Sequence, residues 1–204
     1  MAKIQNVDYE AIPGQARQMR AYGKELNAEM TTAYKSVADM HTSWYGKRYN
    51  ALVKEFNKIT ANINELLSLV VTEIPFTLET VANNYSQADR GSNVTSAAKE
   101  MPKKIANISI SEDVGMKFLT EQVSSVQSSV SKNFQNAKTK MNTIETEYKK
   151  IRWQSEASDA FKTKFTKLKK EIVTAFDDIN TSFTKLMNQT KDDIQKAESV
   201  NTVK

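Results

Sequence analysis

The chain has 204 residues, enough for one or two domains with a sizeable core, and its five glycines and three prolines leave few turn points, which favours a few long helices. With no cysteine and a single histidine, disulfides, thiolate metal sites, Cys–His nucleophiles and His-rich zinc or di-iron centres are all out of reach. The formal charge of +5 comes from 29 basic and 24 acidic residues spread along the chain, so clusters such as Lys103-Lys104 read as solvated surface and nucleic acid is not expected as a partner.

Met1 to Asn6 lacks the apolar stretch of a secretory signal, and the longest apolar-rich run, Leu66 to Val71, is far too short to span a bilayer. Between residues 14 and 44, Met19, Tyr22, Leu26, Met30, Ala33, Val37, Met40 and Trp44 recur at steps of three and four, which predicts a first helix ending near Trp44. The chain must then reverse within a few residues, and Gly46 suits that by tolerating positive φ or serving as an N-cap. The stripe resumes through Leu52, Phe56, Ile59, Ile63, Leu66, Val70, Ile74, Leu78, Val81 and Tyr85, predicting a second helix over residues 47–89 with a kink or break at Pro75.

Residues 90–111 lose the periodicity and have the composition of a connector. Ser111 followed by Glu112 and Asp113 reads as an N-cap with a favourable acidic first turn, so a third helix is expected from there. That helix carries Met116, Leu119, Val123, Val126, Val130, Phe134, Ala137, Met141, Ile144, Tyr148 and Ile151, and ends at Trp153. A fourth follows with Phe161, Phe165, Leu168, Ile172, Phe176, Ile179, Phe183, Met187 and Ile194, its first turn capped by Ser155. The expected fold is all-α, two helical hairpins packed antiparallel as a single-chain four-helix bundle, a pseudo-dimer. The expected units are residues 1–89, a linker at 90–111, and residues 112–204.

The two halves carry one pattern. Tyr85 stands 41 residues after Trp44, as Ile194 does after Trp153, and a shift of 109 aligns Ala51 with Ala160, Phe56 with Phe165, Ile63 with Ile172 and Asp89 with Glu198 without a gap. A two-copy repeat of this length reads as a duplicated domain rather than a solenoid.

Trp44-Tyr45-Gly46 between two helices, with Tyr85-Ser86-Gln87-Ala88-Asp89 at the end of the second, resembles the Trp-X-Gly family. Its members are early-secreted-antigen-like hairpins exported by type VII secretion systems of Gram-positive and mycobacterial bacteria. In the second copy Trp153-Gln154-Ser155 has serine for glycine, and Ile194 to Glu198 has isoleucine for the tyrosine of the export motif. The resemblance implies a turn motif at Trp44, Tyr45, Gly46, Trp153, Gln154 and Ser155. It implies an export signal at Tyr85 and Asp89, and a degenerate one at Ile194 and Glu198. It further implies that each hairpin's turn lies beside the other's export motif: Tyr85 and Asp89 near Trp153 and Ser155, Trp44 and Gly46 near Ile194 and Glu198. The implied partners are the type VII secretion ATPase and machinery, and a larger effector or a host protein. The implied location is cytoplasmic before export, then secreted or cell-surface without a Sec signal.

Nothing in the sequence offers catalysis or a cofactor. Ser-His-Asp chemistry would have to use His41, which sits near a helix end, and acidic neighbours such as Asp177-Asp178 point in different directions on a helix. The chain is read as a non-enzyme, a type VII substrate or secretion adaptor. Two alternatives stand beside that reading. One is a membrane-active bundle, suggested by Leu66 to Val71 followed by Ile74-Pro75-Phe76. The other is a cytoplasmic or phage structural bundle.

Overall fold

The structure is a computed structural model that describes residues 7–153 and 155–201. Its elements in chain order are α1 (Ile12–Asp39), β1 (Trp44–Tyr45), α2 (Lys47–Ser68), α3 (Ile74–Arg90), β2 (Lys117–Phe118), α4 (Thr120–Lys149) and α5 (Glu156–Val200). Most of the stripe residues fold as expected: Met19, Leu26, Met30, Leu52, Phe56, Ile63, Val130, Phe134, Met141, Phe176 and Phe183 are all buried in one core, whereas Met116 and Leu119, expected on the third helix, precede it and are exposed. At its centre each long helix contributes an aromatic ring. Tyr34 meets Phe56 edge-on at 5.3 Å, Phe56 lies 5.7 Å from Phe134, and Phe134 stacks on Phe176 at 4.1 Å. No helix pair could bury these stripes alone, so both hairpins share the core.

α1 packs on α4, and α2 on α5. Both pairs are antiparallel. Along α1 and α4, Ser43 meets Gln122 and Glu29 meets Asn136 at 3.2 Å, with Glu25 paired to Lys140. Along α2 and α5, Arg48 pairs with Asp193 at 2.5 Å, Asn62 donates to Glu171 at 3.0 Å and Lys164 reaches Glu65 at 3.1 Å. The result is an all-α four-helix bundle of two hairpins, with one two-residue ladder at its tip.

Three local expectations are corrected. The first helix stops at Asp39, and a single 3₁₀ turn at Met40–Thr42 leads into extended backbone at Trp44, so the tryptophan lies outside the helix. Its strand pairs antiparallel with β2, Trp44 opposite Phe118 and Tyr45 opposite Lys117. That ladder needs an extended chain at residue 44, which a final helical turn would deny it.

At Pro75 the chain stays helical rather than breaking, although its regular α geometry is interrupted just ahead of the proline. Residues Leu69–Glu73 form a π-helical turn that hands the chain on to α3, with Pro75 in its first turn. Proline has no N–H to give the carbonyl four residues back, that of Val71. Arg20 Nε on α1 takes that acceptor instead, at 3.3 Å. The insertion lies against Gly23 of α1, where an added Cβ would come within 2.7 Å of the Val71 side chain.

The third helix begins at Thr120 rather than near residue 112. Ser111 does not cap it, because its hydroxyl bonds to Asp113 at 2.7 Å and its backbone is held by Asn50 of α2.

The connector between α3 and β2 is bound to α2 along much of its length. Asn50, Asn57 and Asn64 lie seven apart on one face of α2, and each amide donates to the C=O and accepts from the N–H of one connector residue. Asn50 holds Ser111 at 2.8 and 3.0 Å, Asn57 holds Ile108 at 2.9 and 2.8 Å, and Asn64 holds Ile105 at 2.9 and 2.8 Å. Two helical turns rise about 10.5 Å for seven residues, and three extended residues cover about 10 Å, so the two repeats stay in step. Ile105 and Ile108 are buried beneath this ladder, the apolar counterpart of the same three-residue period.

The same face goes on meeting the connector through Thr72 in the π turn and Glu79 and Asn83 beyond it, which bond to Glu100, Ala98 and Thr95 respectively, the last step shortening to four. From Asn64 to Thr72 the step is eight instead of seven. The residue added by the π turn is what keeps this face of the helix pointed at the connector.

Burial also sets an alkaline limit. Removal of the Tyr34 and Tyr49 rings from water pushes each phenol up to about 12. Unfolded tyrosine ionises near pH 10, so the folded state keeps these protons longer; the stabilisation is complete below about pH 10 and is lost as pH rises through about 12. Melting temperature should therefore fall steeply over that window, and Tyr34→Phe with Tyr49→Phe should flatten the fall. Equal slopes for the two proteins would show that other groups set the limit.

Candidate functional site

The first candidate locus is the turn of the first hairpin. Trp44 is 1% exposed, packed edge-on to Phe118 at 5.5 Å and stacked on Phe183 of α5 at 5.9 Å. Gly46 has φ 117° and ψ −173°, a conformation open essentially to glycine alone, and caps α2 without a side chain. The segment before β2 crosses directly above it: a Cβ on Gly46 would sit 3.2 Å from the Gly115 carbonyl oxygen. Arg48, one turn on, pairs with Asp193, and Thr190 lines the cleft beside the turn, so the turn rests against the C-terminal part of α5. There Ile194 is half-buried and Glu198 exposed.

The second locus is the end of α3. Tyr85 is 38% exposed, and Asp89 stands one helical turn beyond it. The Tyr9 hydroxyl donates to Asp89, Arg90 lies 5.3 Å over the Tyr9 ring, and Arg90 pairs with Glu10. The hydrogen bond to Asp89 raises the Tyr9 phenol above its ordinary range. The sequence reading passed over Tyr9. Its only signal is an isolated aromatic ahead of the first apolar stripe.

The turn of the second hairpin is built differently. Trp153 is buried, and Ser155 Oγ accepts from the Ser158 backbone N–H at 3.1 Å, capping α5. Gln154 lies outside the described residues. The buried Tyr148 hydroxyl bonds to Ser158 Oγ at 2.8 Å, which ties the cap to α4.

His41, Ser111 and Asp113 converge, but as a clasp. Both partners meet the same ring nitrogen, Nε2, at 3.0 Å for Ser111 and 2.5 Å for Asp113. A proton relay needs the carboxylate and the nucleophile on opposite nitrogens. Hydrogen bonds from Ser111 and then His41 hold the Asp113 carboxyl below its usual range.

Both halves of the Trp-X-Gly pattern are thus in place on the first hairpin, turn at one end and Tyr-x-x-x-Asp at the other. Residues 5–90 match the WXG100 family, described as proteins of 100 residues with WXG. The first hairpin is accordingly WXG100-like, and the match stops where α3 ends. No curated protein and no solved structure matches the chain.

Proposed function

We propose that this protein is a non-enzymatic substrate or adaptor of a type VII secretion system, built as a single-chain pseudo-dimer of two fused WXG100-like hairpins. The observation that carries the export reading is the match over residues 5–90, joined to a hairpin that holds Tyr85 and Asp89 on the last turns of α3. One contact supports the fusion in particular. Asn62 donates to Glu171, a residue 109 positions away, which is the same shift that aligns the two copies. A two-fold axis between equivalent antiparallel helices makes a residue meet its own counterpart.

In this reading residues 1–89 and 112–204 are the two hairpins, the pair is internal, and the protein works as a monomer. Tyr85 supplies an aromatic anchor and Asp89 a charge, which suits a groove on the secretion ATPase. The copy ending in Ile194 and Glu198 keeps the charge and lacks the ring. The membrane-active alternative loses its motive, because Leu66, Leu67, Leu69, Val70 and Val71 are buried in the core and no helix among the described residues is long and apolar enough to cross a membrane.

Export is the test. In a host with its type VII system intact, wild type should appear in the culture supernatant, while Tyr85→Ala and Asp89→Ala should remain in the pellet as folded protein. Unchanged export of both variants would reject the signal, and retention of wild type would reject the route.

A further inference from the structure

We propose that the window between α1 and the connector is a docking site for an extended, acidic polypeptide segment. This assignment is independent of the route by which the protein leaves the cell.

Arg20 of α1 bonds the connector at Ala98, and two further hydrogen bonds, from α1 and from the 3₁₀ turn that follows it, frame the stretch beyond. Asn27 Nδ2 donates to the Lys103 carbonyl at 2.7 Å, and His41 meets Ser111 at 3.0 Å. From residue 27 to residue 41, α1 rises roughly 20 Å, and extended chain from residue 103 to residue 111 spans roughly 25 Å, so the two frame a long slot. The slot is open, with a volume of about 530 Å³. Its floor is Tyr34, Tyr49 and the exposed Ala38; its rim carries Lys35, Lys103, Lys104 and His41, with no aspartate or glutamate among the lining residues.

Two features set the chemistry of the occupant. The asparagine ladder uses one side of the connector, through residues 105, 108 and 111. The backbone groups of Ala106, Asn107, Ser109 and Ile110 have no hydrogen-bond partner among the described residues. Unpaired backbone donors and acceptors along an extended chain are available to another extended chain laid beside it. The lysines then select for carboxylates on that chain, by an attraction that salt weakens. A nucleic acid fits less well, because both floor tyrosines are buried, with their hydroxyls donated to the Phe56 and Val37 carbonyls, and present no open ring face for a base.

The probe is a fluorescein-labelled decapeptide alternating glutamate and valine, titrated with the full chain at low salt and read by anisotropy. Binding should weaken about tenfold or more, or 1.4 kcal/mol, when Ala38→Trp fills the floor and when Lys35→Glu and Lys104→Glu reverse the rim. The three substituted positions are exposed, and circular dichroism checks that each variant folds. A peptide with alternate amides N-methylated should also bind at least about tenfold more weakly, since it keeps the side chains and loses the donors. The proposal is overturned if the glutamate–valine peptide does not bind, or if its N-methylated form, a lysine–valine decapeptide or oligothymidylate binds equally well. Insensitivity to both sets of substitutions would overturn it too.

Discussion

Glu79→Ala is expected to lower stability by about 3–5 kcal/mol, the cost of leaving a buried charge without its partner. For a chain of this size that is a fall of roughly 10 °C in melting temperature. Glu79 is 2% exposed and Arg20 6%, and they form a bidentate pair with both bonds at 3.0 Å. The pair also joins three segments. Arg20 of α1 donates to the Val71 carbonyl in the π turn and, at 3.1 Å, to the Ala98 carbonyl of the connector, while Glu79 of α3 accepts from the Ala98 N–H at 3.2 Å. Removing the carboxylate takes the bidentate partner from a guanidinium that keeps only Glu100, at 3.5 Å, and two carbonyls, and it orphans the Ala98 N–H. The double variant Arg20→Met with Glu79→Leu should recover part of the loss, because the buried charge is gone while the Val71 and Ala98 backbone groups stay without these partners. A shift of only a degree or two for Glu79→Ala would mean that water reaches Arg20 and the site is not dry.

The second large effect is expected at the turn glycine. Gly46→Ala should cost about 1–3 kcal/mol for the backbone conformation alone, and more because the new methyl must displace the Gly115 carbonyl from above the turn. Gly91→Ala is the control. Gly91 ends α3 at φ 70° with nothing within 4 Å of an added Cβ, so it carries the backbone cost of a left-handed residue and no clash. Thermal melts of the two variants should separate, with Gly46→Ala the lower. Equal losses would show that the segment above the turn moves aside freely.

The helices were legible because a core stripe repeats with the helical period, and nothing in the bundle competes with it. What escaped had signals of other periods, or none. Asparagines at 50, 57 and 64 look like wet helix surface when taken singly, and Ile105 and Ile108 look like stray apolar residues in a loop. Only together do steps of seven and three reveal a helix and an extended chain in register. Ser111 reads as a cap by type and place, yet Asp113 and Asn50 take its hydroxyl and backbone, so α4 starts nine residues later at Thr120. Pro75 reads as a breaker because the rule for proline counts only the helix's own donors, and Arg20 lies outside that count. Around the candidate site, the residue types of Trp44, Gly46, Tyr85 and Asp89 stood out in the sequence. Of their neighbours, Phe183 was legible only as part of a core stripe and Phe118 and Tyr9 not at all, being brought in by tertiary packing from far along the chain.

The asparagine ladder makes the connector a ruler rather than a tether. Its peptide groups are counted off in threes against helix residues counted off in sevens, so its length is quantised. Three residues added or removed leave every amide facing a peptide group of the right phase; one or two put side chains where the grips expect backbone. Variation in this segment is thus constrained in number more than in kind. The identities of the residues between the grips, Ala106, Asn107 and Ser109 among them, are left free to change.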